Sequence, residues 1–325
     1  MTLAMCLTAS PLVSVIMPCF NAGRYLAEAI TSILGQTYKH WELLIVDDGS
    51  TDCAVADAEK QFADPRIRWF RQRNQGKPAA MNLALSATSG EYYVLQDADD
   101  TSYPTRLEYL VAEMNRHPEV AAVFSGYDLI INDQRCAPIL RDKDVAQCSL
   151  DIAAMRMPSH DPTAIYRMST VKSFDYDVSL PVVEGYDYVL RVGEAHPMRV
   201  VGQCLYSYRI HSTSITHSDP TRRDRMVMEV HRRACARRGM EFEAWWNNRH
   251  LAGLRRSRAY TADNELPSHF MKSVQDQCNS GKRFAAIGTA LKCAWLGRFE
   301  REHLKPIVLA MCPLAVRSRF ASYHY

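Results

Sequence analysis

The chain has 325 residues, 47% of them hydrophobic and 23% charged, which is typical of a globular protein with one large domain or two. No apolar run approaches the roughly 20 residues that cross a bilayer, and the N-terminus lacks the basic lead-in of a secretory signal. The ten cysteines show neither a Cys-x-x-Cys pair nor zinc-ligand spacing. We therefore expect reduced thiols and a cytoplasmic protein.

The net charge of +3 is divided unevenly along the chain. Residues 1–220 carry 19 Lys and Arg against 27 Asp and Glu, a net charge of −8. Residues 221–325 carry 20 against 9, a net charge of +11. This asymmetry predicts a body over residues 11–220 and a basic helical C-terminal extension over residues 221–325.

Short apolar runs alternate with helical stripes through the body. Strands are predicted at 13–17, 41–46, 67–70, 92–95 and 120–125, and helices at 25–34, up to about 62, 78–87 and 104–115. This alternation predicts an α/β fold with a doubly wound, mostly parallel central sheet and helices on both faces.

Carboxylates follow the strand at 92–95, at Asp97, Asp99 and Asp100. The loops after the first and second strands carry further polar side chains, at Asn21, Asp47 and Asp48. Because right-handed crossovers bring these strand ends to one edge of the sheet, we expect the six side chains to share a crevice. So many acids favour a bound cation, and Mg²⁺ or Mn²⁺ prefers oxygen ligands. The alternative for 97–100 is an acidic turn that caps the next helix.

Lys77 lies in a short basic loop directly before a predicted helix. A cation at a helix N-terminus suits a phosphate group, so the loop is a candidate phosphate-binding element. The alternative is a solvated turn.

Five stretches, in this order, resemble the family 2 glycosyltransferases, which transfer sugars from nucleotide diphosphates and have the GT-A fold. They lie at 15–21, 44–52, 74–82, 90–100 and 208–211, so the resemblance covers residues from about 12 to 217.

The resemblance implies a donor site at the edge of the sheet. Pro18 and Asp48 would border the pocket for the base and ribose, with Asp47 as a supporting neighbour and Asn21 beside them. Asp97 would face the ribose or the donor sugar.

The resemblance also implies a metal site and an acceptor side. Asp99 would ligate Mn²⁺ or Mg²⁺, with Asp100 nearby. His211 would contact the metal or the diphosphate from a late loop, and its alternative is a surface histidine. His160 would line the acceptor cleft or serve as a structural histidine.

At Gly185 the chain departs from the family pattern, which has an aspartate there as the general base. A glycine accepts no proton, so either Glu184 or Asp187 takes the role or the protein is a non-catalytic member. Helical spacing makes these two acids neighbours. We favour Glu184 because it adjoins the usual position, and interpret Asp187 as structural.

The residue pattern of the extension predicts a basic helix over 222–238 and a second, amphipathic helix over about 284–295. These helices either pack on the body or lie on the inner face of a membrane, where each basic side chain adds about 1 kcal/mol. The acidic body argues against nucleic acid as a partner.

The sequence therefore predicts an inverting, metal-dependent glycosyltransferase of the hexosyltransferase type. Its donor would be a nucleotide diphosphate sugar, with UDP favoured, and its acceptor a glycan or lipid-linked hydroxyl in surface polysaccharide or glycolipid assembly. A nucleotidyltransferase is one alternative, but such an enzyme should carry a glycine-rich loop after the first strand. Residues 18–21, which follow the first strand here, do not form a glycine-rich loop. A non-catalytic nucleotide-sugar-binding or scaffold protein is the other alternative.

Overall fold

The structure, a computed structural model, describes residues 10–131, 133–136, 138–210 and 220–251, together with residues 287, 288, 290 and 291. The strands in these ranges are β1 (Val13–Cys19), β2 (Trp41–Asp47), β3 (Ile67–Arg71), β4 (Tyr92–Leu95), β5 (Thr101–Ser102), β6 (Ala122–Ile131), β7 (Gln134–Arg135), β8 (Ala164–Arg167) and β9 (Met198–Ile210). The helices are α1 (Tyr25–Leu34), α2 (Ala54–Gln61), α3 (Lys77–Ser86), α4 (Arg106–Arg116), α5 (Val145–Ala153), α6 (Met168–Val171), α7 (Glu184–Ala195), α8 (Pro220–Arg237) and α9 (Phe242–Leu251).

The strands form one sheet in the order β3-β2-β1-β4-β8-β6-β9-β5, with β7 paired to β6. The predicted α/β fold is confirmed, although the sheet is mixed. β3, β2, β1 and β4 run parallel, and β8 is antiparallel to both β4 and β6. The helical crossovers of the first half enforce parallel pairing, whereas β8 enters the sheet in the opposite direction after a longer excursion.

Helices cover both faces of the sheet, which explains why β1, β2 and β4 are almost continuously apolar. On one face α1, α2 and α4 pack against side chains such as Val15 and Ile45. On the other face α3, α5 and α7 pack against Ile16 and Leu44. Successive side chains of a strand point to opposite faces, so each buried strand contributes to both cores.

The short strand β5 was not predicted, and it shapes the turn after β4. Thr101 and Ser102 pair with Ser207 and Tyr206 of β9, so residues 97–100 lie against the end of that strand. The acidic turn therefore has tertiary contacts on both sides before α4 begins.

Arg106, in the first turn of α4, is fully buried beneath this acidic turn. Its guanidinium donates to the carbonyl oxygens of Leu95 and Pro162 at 3.0 and 2.5 Å, and to the side chains of Gln96 and Ser102 at 3.2 and 2.8 Å. Burial lowers the pKa of Arg106 to about 10, so the side chain remains charged at neutral pH.

Replacing Arg106 by Met should lower the free energy of unfolding by about 3–5 kcal/mol, because buried carbonyl oxygens would lose their charged donor. Urea denaturation measures the change. Arg116→Met on the same helix is the matched control, since the Arg116 side chain is 65% exposed and its buried partner, Glu113, keeps a second cation, Arg199, at 3.9 Å. Equal stability losses in the two variants would contradict the structural role of Arg106.

The described part of the C-terminal extension packs on the body. Arg233 of α8 pairs with Asp177 at 2.6 Å, and Arg237 and Arg238 pair with Glu194 of α7 at 2.7 and 2.9 Å. Membrane contact stays a prediction, and most of the second predicted helix lies outside the described residues. No described helix combines the length and hydropathy that crossing a membrane requires.

Candidate active site

A cavity of about 920 Å³ opens at the carboxyl ends of β1, β2 and β4. Seven of the residues predicted from the sequence line it, namely Pro18, Asn21, Asp48, Lys77, Asp97, Asp99 and Glu184. They come from separate loops and helix starts, which the parallel strands bring to one edge of the sheet.

Asp48 organises the loop that leads into α3. Its Oδ1 accepts hydrogen bonds from Gln72 Nε2 at 2.7 Å and from the backbone N–H of Gln75 at 2.8 Å. Its Oδ2 accepts from the backbone N–H of Gly76 at 2.8 Å. Both carboxylate oxygens are therefore engaged with the loop that carries Lys77.

Asn21, which also lines the cavity, holds two further loops together. Its backbone has a φ of 50°, a left-handed conformation that asparagine tolerates better than most residues. Its Oδ1 accepts from the backbone N–H groups of Thr51 and Asp52 at 2.7 and 3.3 Å, which ties the loop after β1 to the loop after β2.

We expect Asp48→Asn to weaken nucleotide binding by about tenfold, because an amide NH₂ cannot accept a backbone N–H bond and the 72–76 loop would shift. Isothermal titration calorimetry with UDP measures the effect. Asp47→Asn is the matched control: Asp47 Oδ1 accepts one bond, from the Ser50 backbone N–H at 2.8 Å, and the residue does not line the cavity. A larger loss in the control would argue against this division of roles.

Lys77 is the cation at the centre of the site. Its Nζ lies 2.8 Å from Asp97 Oδ1 and 3.2 Å from Glu184 Oε1. Burial disfavours its charge, but the carboxylates of Asp97 and Glu184 raise the pKa of Lys77 well above its usual value. The side chain thus bridges the predicted donor side and the predicted acceptor side.

Glu184 is the first residue of α7 and is 6% exposed. Lys77 contacts its Oε1, and within the described residues no donor reaches its Oε2. Burial raises the pKa of Glu184, Lys77 opposes that rise and Asp97 adds to it. The result is a carboxylate with greater than ordinary proton affinity at the wall of the cavity.

Two other predicted residues, Asp187 and His160, do not line the cavity. Asp187 accepts from Arg191 at 2.6 Å and lies 3.7 Å from Arg237, so it helps to attach α8 to α7 rather than lining the cavity. It is three residues from Glu184, which turns it about 60° around the helix. His211 lies outside the described residues.

His160 lies behind the cavity wall. Its ring centroid is 5.2 Å from that of Tyr208, which does line the cavity. Burial lowers the pKa of His160 to about 3, and the charge of Lys77 adds to this effect. The imidazole is therefore neutral, and no described residue forms a hydrogen bond with its Nε2.

Residues 14–166 match the family described as Glycosyl transferase family 2. This part of the chain is a family 2 glycosyltransferase domain. The resemblance inferred from five short stretches is thus confirmed.

Curated relatives of the family 2 domain match part of this chain and part of their own length. An uncharacterised glycosyltransferase of Haemophilus influenzae is 29% identical over 214 residues, which cover 62% of this chain and 66% of that protein. The putative glycosyltransferase EpsE of Bacillus subtilis is 43% identical over 124 residues, 37% of this chain and 44% of that protein. Chondroitin synthase of Escherichia coli is 28% identical over 216 residues, 64% of this chain and 31% of that protein. The chain spans less than two thirds of the length of these relatives.

Solved structures similar to this chain include TarS 1–349 of S. aureus in complex with UDP. That structure has a TM-score of 0.56 and 17% sequence identity, and the match covers 96% of this chain and 92% of TarS 1–349. The complex of the same protein with UDP-GlcNAc has a TM-score of 0.57 and 16% identity, with the same coverage. At this identity the likeness establishes the fold, and the predicted GT-A fold is confirmed.

The lining of the cavity combines acidic and basic side chains. Its described lining carries the acids Asp48, Asp97, Asp99 and Glu184 and the bases Arg24, Lys77 and Arg222. Carboxylate oxygens are the ligands that Mg²⁺ and Mn²⁺ prefer, and a diphosphate would supply further oxygens. Within the described residues, however, no three His, Cys, Asp or Glu side chains lie close enough together to hold an ion by themselves.

Sequence reasoning missed the supports of the acidic turn. Asp100 accepts from Tyr206 Oη at 2.7 Å and from the backbone N–H of Arg209 at 2.7 Å. Arg209 also donates to the carbonyl oxygen of Asp99 at 2.8 Å. The sequence contained a signal for these supports in the stretch at 208–211, which carries Arg209 as well as His211, the predicted metal ligand. Arg222 was also missed at the cavity, since a helix pattern does not reveal that α8 begins there.

Proposed function

We propose that this protein is an inverting glycosyltransferase that moves a sugar from a nucleotide diphosphate donor to an acceptor hydroxyl. The favoured donor is a UDP-sugar. The observation that carries the proposal is the single cavity that unites Asp48, Lys77, Asp97, Asp99 and Glu184. UDP and UDP-GlcNAc in the TarS complexes support the choice of donor, and the name of one relative, chondroitin synthase, supports polysaccharide assembly.

In this proposal each side chain has a separate task. Asp48 holds the loop around the nucleotide, and Asp97 faces the ribose or sugar. Lys77 stabilises negative charge as the diphosphate leaves, an electrostatic contribution that is often the largest in catalysis. Glu184 accepts the proton of the attacking hydroxyl.

A divalent metal belongs to the proposal as well. Asp99 would hold it, with His211 as the second predicted ligand, and when bound it would neutralise the charge that develops on the diphosphate.

Glu184 also argues against the non-catalytic alternative. That alternative depends on Gly185, where the family pattern has its acid. A buried carboxylate on the adjacent residue, at the cavity wall, supports an active enzyme.

The metal assignment predicts that Asp99→Ala abolishes the Mn²⁺-dependent part of UDP binding. Calorimetric titration with UDP, with and without Mn²⁺, measures it, and Asp57→Ala on α2 serves as an exposed acidic control. Equal Mn²⁺-dependent affinity in Asp99→Ala and the unmodified chain would remove Asp99 from the metal site.

A thermal-shift screen of nucleotide sugars identifies the donor, since a ligand that binds the native state raises its apparent stability.

A further inference from the structure

Arg24 is a cation of the cavity lining to which the proposed mechanism gives no role. It directly precedes α1, and its side chain is 71% exposed. Its Nη2 donates to Asp133 Oδ2 at 3.2 Å and to Tyr25 Oη at 3.3 Å, and its guanidinium lies 5.0 Å from the centre of the Tyr25 ring. Among the described residues nothing accepts from its Nε or Nη1, so this edge of the guanidinium is available to a ligand.

Asp133, in the turn between β6 and β7, is shared by two arginines. Its backbone has a φ of 58°, a left-handed conformation in which aspartate is enriched. Its Oδ2 accepts from Arg24, and its Oδ1 accepts from Arg209 at 3.0 Å. The side chain of Arg209 is 4% exposed and also pairs with Glu28 at 2.6 Å. Asp133 therefore keeps a buried partner if Arg24 leaves it, and no buried charge is left unpaired.

The ion pair between Arg24 and Asp133 is weak enough to exchange. The Asp133 side chain is 61% exposed, so both partners are open to water. Exposed ion pairs contribute little, because water and salt screen them and two long side chains must be ordered. A guanidinium can instead donate two parallel N–H bonds to one phosphate group, which are stronger. A phosphate group in the cavity would therefore compete with Asp133 for Arg24.

The charge of the cavity explains why a diphosphate needs a second cation. The four acids of the described lining outnumber its three bases, and Lys77 is already shared by Asp97 and Glu184. A diphosphate adds more negative charge to this lining. Asp133 does not line the cavity, so an Arg24 that exchanges Asp133 for the ligand brings it a positive charge without unpairing an acid of the lining.

We propose that Arg24 binds the diphosphate of the donor, and that Asp133 holds Arg24 beside the cavity until the donor displaces it. The carboxylate of Asp133 then stays with Arg209, and the guanidinium of Arg24 stays over the ring of Tyr25. The inference rests on the proposed function, which supplies the nucleotide diphosphate.

The two partners of this ion pair should have opposite effects on binding. Arg24→Gln should raise the Kd for UDP about fivefold, because the charge-assisted bonds to phosphate are lost. Asp133→Asn should lower that Kd about twofold, since Arg24 no longer has to leave a carboxylate. Isothermal titration calorimetry of the full chain with UDP, and separately with inorganic diphosphate, measures both effects. If Asp133→Asn weakens binding, or if Arg24→Gln leaves it unchanged, the inference is overturned.

Glu28→Gln is the matched control for Asp133→Asn. Glu28 is 54% exposed and pairs with the same Arg209, but within the described residues it makes no contact with Arg24. The variant removes a negative charge from the same cluster without releasing Arg24, so the affinity for UDP should stay the same. A gain as large as that of Asp133→Asn would show that loss of charge alone is the cause, and the inference would fail.

The double variant tests whether the gain passes through Arg24. Arg24→Gln combined with Asp133→Asn should bind UDP as weakly as Arg24→Gln alone, because the competing carboxylate matters only while the guanidinium is present. If Asp133→Asn improves binding equally with and without Arg24, the exchange is refuted.

Uridine, which lacks phosphate, separates a phosphate contact from a change in the shape of the cavity. Arg24→Gln and the unmodified chain should bind uridine equally. Equal losses of affinity for uridine and UDP would contradict the inference.

The two proposals fail separately. If Glu184→Gln releases UDP from UDP-GlcNAc as fast as the unmodified chain, the proposed function loses its base, while the binding data still decide the role of Arg24. If Glu184→Gln is inactive but Arg24→Gln binds UDP and inorganic diphosphate normally, only the role of Arg24 is wrong. Inorganic diphosphate decides the inference whichever base the donor carries, and binding of neither ligand by the unmodified chain would overturn both proposals.

Discussion

Glu184→Gln should slow sugar transfer by a factor of about 10² to 10⁴, the usual contribution of a general base, while nucleotide binding persists. The amide keeps the size of the side chain but accepts no proton. Burial raises the pKa of Glu184, so the acidic limb of the pH–rate profile should lie above that of an ordinary carboxyl group. That limb should vanish in the variant, and UDP release followed against pH measures both effects.

Asp187→Asn is the matched comparison for Glu184→Gln. Both acids lie in the first turn of α7, but Asp187 is ion-paired with Arg191 and away from the cavity. We expect Asp187→Asn to lower stability and retain kcat. Loss of kcat in Asp187→Asn with an active Glu184→Gln would assign the base to Asp187 instead.

Lys77→Gln should lower the free energy of unfolding at neutral pH by about 3 kcal/mol, the range for breaking a buried ion pair by removing one partner. Asp97 and Glu184 would lose the cation that contacts both of them. UDP affinity should fall as well, because the cavity would lose a positive charge. Urea denaturation and calorimetric titration with UDP measure these changes.

The difference in unfolding free energy between Lys77→Gln and the unmodified chain should increase as the pH rises. Without Lys77 the pKa values of both carboxyl groups rise, so the variant loses stability at high pH, where both would be ionised. As pH falls and the carboxyl groups become neutral in both proteins, the difference should shrink. Lys60→Gln on α2, whose side chain is 79% exposed and 3.8 Å from Asp57, should change little at any pH. A pH-independent difference for Lys77→Gln would contradict the ion-pair explanation.

The position of Lys77 connects the two halves of the proposed reaction. One ammonium group contacts an acid of the turn after β4 and an acid of α7. A diphosphate that enters the cavity would compete for this cation, and Glu184 would then keep only the charges that raise its proton affinity.

The local pattern of the sequence determined the elements of the first half and the edge of the sheet where polar side chains gather. The helix at 25–34 and the strand at 92–95 have the predicted bounds, because amphipathic and apolar periodicity depends on neighbouring residues alone. Of the six side chains expected to share a crevice, four line the cavity, because the parallel strands before them end on one side of the sheet: Asn21, Asp48, Asp97 and Asp99. Asp47 and Asp100 do not line it.

Only the tertiary structure shows which of the acids in and around α7 line the cavity. Glu184 and Asp187 are equivalent by spacing, and the packing of α8 against α7 separates them by giving Asp187 its arginine partners. Asp161 lies 24 residues before Gly185, and no periodic pattern reveals that its side chain fills the glycine's space. Contacts between distant segments arise from packing and burial, which a linear pattern of residue types does not encode.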